Sequence, residues 1–161
     1  MSAPAVAPVT PADRPWIREL LRAHWGAPEI VSRGRVLLPE TLPGFLARVE
    51  NERAGLITYE LRHGDLEIVT LNSLRDGVGV GTALVHAALA AARAAGCGRA
   101  WLVTTNDNLP ALGFYQRRGF ELVAVHRRAL ARSRQLKPSI PLVGLDGIPL
   151  RDELELEIAL S

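Results

Sequence analysis

Residues 66–95 read LEIVTLNSLRDGVGVGTALVHAALAAARAA. The apolar, β-branched run Leu66 to Leu71 predicts a strand, and the glycines at 77, 79 and 81 predict a tight loop after it. From near Gly79 the alanine-rich tail predicts a long helix, with Val80, Leu84, Ala88 and Ala91 as its buried stripe. Gly96 marks the stop, because glycine takes the left-handed conformation there without a Cβ penalty. Trp101, Leu102 and Val103 then form a short, wholly apolar run, which suits a strand covered on both faces in a parallel pair. Strand, helix and strand make a right-handed βαβ unit.

Outward from this unit, Thr10, Pro11 and Asp13 open a first helix over about 11–25, with Trp16, Ile17, Leu20, Leu21 and Trp25 at helical spacing. Residues 29–38 and 44–61 are rich in β-branched and apolar side chains, interrupted at Pro39, Pro43 and Asn51-Glu52 and followed by His63-Gly64-Asp65, which predicts antiparallel strands joined by tight turns. A second helix is expected over about Asn108 to Arg117, capped by Asn108 and ended by Gly119, then a strand over Phe120 to Val125. A short helix over Arg127 to Leu136 and a Pro/Gly loop over Lys137 to Pro149 follow. The last stretch, Asp152 to Leu160, alternates glutamates at 153, 155 and 157 with apolar residues, the pattern of a half-buried antiparallel strand. The expected fold is mixed α/β, with helices covering a mostly antiparallel sheet, and the expected organisation is one domain over 1–161 carrying an inserted helix and loop at about 127–150.

Composition narrows the classes. With 161 residues and 48% apolar side chains, the chain can bury a core without disulfide or metal support. Cys97 has no partner for a disulfide, and no Cys/His cluster has metal-ligand spacing, so no metal site is expected and a reducing cytoplasm is. The start lacks a basic segment followed by an apolar run, and no stretch of about 18 apolar residues occurs, so neither an export signal nor a membrane span is expected. The net charge is only +2. Arginines cluster at Arg117-Arg118 and at Arg127, Arg128, Arg132 and Arg134 without interleaved aromatics, so no nucleic-acid partner is expected.

The loop after the strand carries the chemistry. Where a strand enters a helix, the first-turn N–H groups and the helix dipole favour an anion, and glycines let the main chain approach it closely. A Walker loop needs Gly-Lys before Ser or Thr, and no lysine lies near Gly81-Thr82. A dinucleotide fingerprint needs a third glycine three residues after the second, where this chain has Thr82 or Leu84. The segment is instead similar to the acetyl-CoA signature of the GNAT acetyltransferases, Gln or Arg, two residues, Gly, one residue, then Gly or Ala, with Gly79 and Gly81 at the glycine positions. Asn108-Leu109-Pro110-Ala111-Leu112-Gly113-Phe114-Tyr115, followed by Arg118-Gly119-Phe120, resembles that family's second element. Seven helical residues turn through about 700°, so Asn108 and Tyr115 share nearly one face.

This resemblance implies a central parallel strand pair splayed to hold acetyl-CoA. The pantetheine arm would pair with the main chain of Val69, Thr70 and Leu71, the pyrophosphate would lie on the N–H groups of Gly77, Val78, Gly79, Val80, Gly81 and Thr82, and Asn108 would contact the cofactor. Tyr115 would protonate the departing CoA sulfur, and a backbone N–H near Leu71 would hold the oxyanion. For the general base, the resemblance points to Glu67, taken as sharing side-chain parity with Val69 and Leu71; His126 is the alternative. Asp76 departs from the signature, because it stands where the family has Gln or Arg and brings a carboxylate toward the pyrophosphate. The implied activity is transfer of an acetyl or short acyl group from CoA to a primary amine of a small molecule or peptide; the competing class is a non-catalytic acyl-CoA sensor or scaffold.

The acceptor site is implied to lie in the variable segments, here His24 to Leu42 and His126 to Arg151. The second holds the insertion, longer than a hairpin needs. It either covers a wall of the acceptor cleft, with Arg127, Arg128, Arg132 or Arg134 facing an acidic substrate group, or serves stability or a homodimer contact.

Overall fold

The computed structural model describes residues 3–161. Along them run β1 (Ala5–Pro8), α1 (Arg14–Trp25), β2 (Ile30–Ser32), β3 (Arg35–Leu37), β4 (Gly44–Val49), β5 (Glu52–Arg62), β6 (Asp65–Ser73), α2 (Val80–Ala94), β7 (Arg99–Thr105), α3 (Leu109–Arg117), β8 (Glu121–His126), α4 (Ala129–Leu136) and β9 (Glu153–Ala159). Their contacts gather into two units, one comprising the chain up to residue 30 with 38–100 and 160–161, the other 31–37 with 101–159. No helix among the described residues is long and apolar enough to cross a membrane.

In the first unit β1, β4, β5 and β6 lie side by side and antiparallel. The β4–β5 turn places Glu50 and Asn51 at positive φ, and the β5–β6 turn does the same with His63 and Gly64, the mirror-type geometry that suits the twist of a hairpin. Leu46 pairs with Leu56, and both pack with Ile17, Leu20 and Leu21 of α1. Gly55 is the next residue and faces the other way, so its missing side chain leaves room for α2: a Cβ there would lie 2.5 Å from Val80 and 3.1 Å from Leu84. α1 and α2 therefore cover opposite faces of this sheet. α2 buries Val80, Gly81, Leu84, Val85, Ala88, Leu89 and Ala92, a wider stripe than the one expected, with Ala91 only half-buried. Beyond α2, Gly98 N donates to Gly64 O at 3.0 Å and Arg99 pairs with Asp65 at 3.0 Å, so β7 sets out from the same end as β6 and in the same direction. The fold is mixed α/β, mostly antiparallel with this one parallel pair.

Strand β1 was not legible in the Pro/Ala-rich start. It pairs only with β4, at a sheet edge, where the missing N–H of Pro8 costs no ladder bond.

In the second unit the strand order is β7-β9-β8, with β9 antiparallel to β8, and β2 and β3 form a separate hairpin turning at Arg33 and Gly34. The central position of β9 changes the expectation drawn from its alternation. Its glutamate face is covered as well: Glu153 is 3% exposed and binds Arg33 at 2.8 Å, and Glu155 binds His126 at 3.0 Å. A buried carboxylate is tolerated because each has a hydrogen-bonded partner.

Candidate functional site

In the first unit the glycine loop has the geometry of an anion cradle. Gly77 and Gly79 take φ of 75° and 79°, and a Cβ at either would meet nothing within 4 Å, so the main chain there is open to an approaching ligand. Gly79 caps α2, and Ala83 N donates to Gly79 O at 3.0 Å as the first intrahelical bond. The amides of Val80, Gly81 and Thr82 precede that bond, at the positive end of the helix dipole. This donor set fits a pyrophosphate. Arg75 and Asp76 are both exposed beside it.

Strand β6 carries the other residues singled out in this unit. Thr58 pairs with Thr70 but Tyr59 with Ile68, so Val69 is an extra residue, a bulge, at the start of the segment Val69 to Leu71. The bulge corrects the parity assigned to Glu67. Glu67 pairs with Glu60, Thr70 with Thr58 and Asn72 with Leu56, all on one face, whereas Leu71 pairs with Ile57 on the other. The result is a row of buried polar side chains, Glu67 (4% exposed), Thr70 (3%) and Asn72 (8%), with Thr70 bonded to Thr58 at 2.6 Å. Asn72 Oδ1 is buried and has no hydrogen-bond partner. Asn72 was not picked from the sequence; its only signal is an amide on a strand that otherwise reads apolar.

In the second unit α3 carries Asn108 and Tyr115. Asn108 caps the helix, its Oδ1 accepting from Ala111 N at 3.2 Å. Tyr115 is 6% exposed, with its ring edge-on to Phe114 and Phe120 at centroid distances of 5.2 and 5.3 Å. Desolvation pushes its phenol well above the ordinary range, opposed by the cation of Arg118. The hydroxyl therefore keeps its proton at neutral pH and is a donor rather than a base.

The same unit contains a cavity of about 320 Å³ lined by Arg33, His126, Arg127, Arg128, Arg132 and Glu153, with Gly34, Ala129 and Ser133. The β2–β3 hairpin supplies Arg33 and Gly34; the end of β8 and the first turns of α4 supply most of the rest. Arg134, grouped with the other arginines in the sequence, is used otherwise: its guanidinium donates to Ile140 O, Pro141 O and Leu150 O and staples the Pro/Gly loop. That loop is also held by Asn106, which donates to Pro149 O at 2.9 Å and accepts from Arg151 N and Asp152 N, and by Asp107.

The pattern of the Acetyltransferase (GNAT) family matches residues 13–120. The chain is 40% identical over 139 residues to the protein YdhI of Bacillus subtilis (strain 168), covering 86% of this chain and 87% of that one. Its fold is similar to the IAA acetyltransferase from Bacillus cereus ATCC 14579, with a TM-score of 0.74 and 18% identity over 98% of this chain and 100% of the other. It is also similar to a GNAT family acetyltransferase from Elizabethkingia anophelis with acetyl-CoA bound, with a TM-score of 0.70 and 17% identity over 99% and 100% of the two chains. The chain belongs to the GNAT acetyltransferase family.

Proposed function

We propose that this protein transfers an acetyl or other short acyl group from CoA to a primary amine, directly and without a covalent enzyme intermediate. The observation that carries this is the loop from Gly77 to Thr82, where two left-handed glycines open α2 and present its first amides to an anion. Acetyl-CoA is the co-substrate. Its pyrophosphate is held by the main chain of Gly77, Val78, Gly79, Val80, Gly81 and Thr82, and its pantetheine arm by the main chain of Val69, Thr70 and Leu71, where the bulge interrupts the ladder. Asn108 has its Oδ1 committed to the helix cap, which leaves the amide Nδ2 to reach the cofactor.

In the reaction the neutral amine nitrogen attacks the thioester carbonyl, and the oxyanion is held by a backbone N–H near Leu71. The N–C bond forms and the C–S bond breaks. Glu67, the buried carboxylate of the polar row on β6, takes the proton released by the amine, and Tyr115 gives its proton to the departing thiolate, leaving an amide and free CoA. The free, buried Cys97 suits a reducing compartment, and we assign the protein to the cytoplasm.

Titration calorimetry with acetyl-CoA, on the parent and on Gly81→Glu, tests the cofactor site. Binding by the parent and its loss in the variant are expected, and a parent that does not bind overturns the proposal. Thiol release over a panel of amines tests catalysis. Tyr115→Phe should lower kcat by roughly 10- to 1,000-fold while acetyl-CoA still binds. Tight cofactor binding with no turnover on any amine would instead identify a non-catalytic acyl-CoA sensor.

A further inference from the structure

The cavity beneath α4 has an excess of positive charge. Four arginines line it, Arg33, Arg127, Arg128 and Arg132, against the one acidic residue Glu153. Arg33 is spent on Glu153, at 2.8 Å. Among the described residues no carboxylate lies within ion-pair distance of the side chains of Arg127, Arg128 or Arg132. Arg127 acts on Asp152 beyond ion-pair distance, and with no carboxylate bonded to any of the three, these exposed cations repel one another and an anion relieves that repulsion. Their planar, multi-donor heads match the oxygens of a carboxylate or a phosphate, and the cavity opens at the N-terminal turn of α4, whose dipole has the same sign. About 320 Å³ is the volume of a small-molecule site, not of a stripe that follows a nucleic-acid backbone.

Glu153, the one acidic residue of the lining, is already bonded to Arg33, so what the cavity offers a ligand is the positive charge of the other three arginines. The amine of that ligand is required by the transfer reaction itself. We infer that the acceptor is a small amine bearing a carboxylate or a phosphate, and that Arg127, Arg128 and Arg132 hold its anionic end. This inference rests on the acyltransferase function proposed above.

The test uses the full chain and amines matched in length that end in a carboxylate, a phosphate, a hydroxyl or a methyl group, with thiol release as the readout. The Arg127→Gln/Arg132→Gln double variant is compared with the parent and with Arg117→Gln, an exposed arginine outside the cavity. In parallel, inorganic phosphate and acetate are titrated into each protein by calorimetry. The expected result is a kcat/KM at least about 10-fold higher for a charged amine than for its neutral counterpart, the scale of one charge-assisted contact. That advantage should vanish in the double variant, chiefly through KM, and persist in Arg117→Gln, with the neutral amines unchanged throughout. The carboxylate and phosphate arms identify which anion is preferred. Equal rates for charged and neutral amines, or an advantage that survives the double variant, overturn the inference while leaving the transferase function standing. Turnover of no amine despite acetyl-CoA binding removes the transferase function and the acceptor assignment with it; phosphate binding lost in the double variant would then mark an anion site of another kind.

Discussion

Asp107 Oδ2 accepts a hydrogen bond from Leu145 N at 2.9 Å, across 38 residues of chain. Its other oxygen accepts from the Thr105 hydroxyl, and the carboxylate is 5% exposed, so one side chain ties the end of β7 to the middle of the inserted loop. Gly144 lies against it so closely that a Cβ there would overlap the carboxylate.

Asp107→Ala should therefore free the loop by removing the acceptor of two part-buried hydrogen bonds, at a cost of about 1–2 kcal/mol. Gly144→Ala should do the same by collision. Thermal denaturation reads the stability, and limited proteolysis between residues 137 and 149 reads the loop. Unaltered melting and cleavage in both variants would show that the anchor is not needed.

Asp76 puts a carboxylate next to the glycine loop, at an exposed position. Replacing it with arginine should tighten acetyl-CoA binding by about 2- to 5-fold at low salt, the range of a single exposed charge near a helix terminus, and the gain should shrink as salt is raised. Calorimetry at two salt concentrations checks both parts. Weaker binding by Asp76→Arg would mean that the carboxylate has a positive role in the loop.

Asn72 buries an amide oxygen that has no partner. Asn72→Leu keeps the branched skeleton and removes the unsatisfied group, so it should stabilise the protein by about 1–2 kcal/mol, which for a chain of this size raises Tm by roughly 2–8 °C. Acetyl-CoA affinity should be unaffected. A lower Tm combined with weaker cofactor binding would reveal that the oxygen serves a ligand instead.

Asp152 is held below the ordinary carboxylate range by the hydrogen bond from Arg128 N and, beyond that, by Arg151, against the opposing effect of burial. A carboxylate with a depressed pKa in the folded state stabilises the fold fully above its unfolded pKa, and that contribution is lost as pH falls through the folded value. The parent should thus be more stable than Asp152→Asn at pH 7, and the difference should shrink below about pH 4. Denaturant midpoints measured from pH 7 to pH 3 test the sign; a difference that grows on acidification would contradict it.

Local signals carried far in this chain. The period of α1, the glycine stop after α2, the Asn108 cap and the positive-φ turn at His63-Gly64 each depend on a few neighbouring residues, and each stands close to its expected place. The glycine loop was equally legible, because opening a helix after a strand is itself a local event. The parity of Glu67 was not. It depends on the extra residue at Val69, a property of the register between β5 and β6 that neither strand displays alone.

The amino-acid sequence by itself determined the order of elements after β1, the glycine loop that opens α2, and the placement of Tyr115 on one short helix capped by Asn108, because spacing and backbone preference act over a few residues. Only the tertiary structure decided which charges are spent. It pairs Arg33 with Glu153 across 120 residues and turns Arg134 onto backbone carbonyls. Arg127 and Arg132 are left open to the cavity. Four arginines of one composition thus acquire different roles, since whether a charge is neutralised depends on groups brought near it from distant parts of the chain.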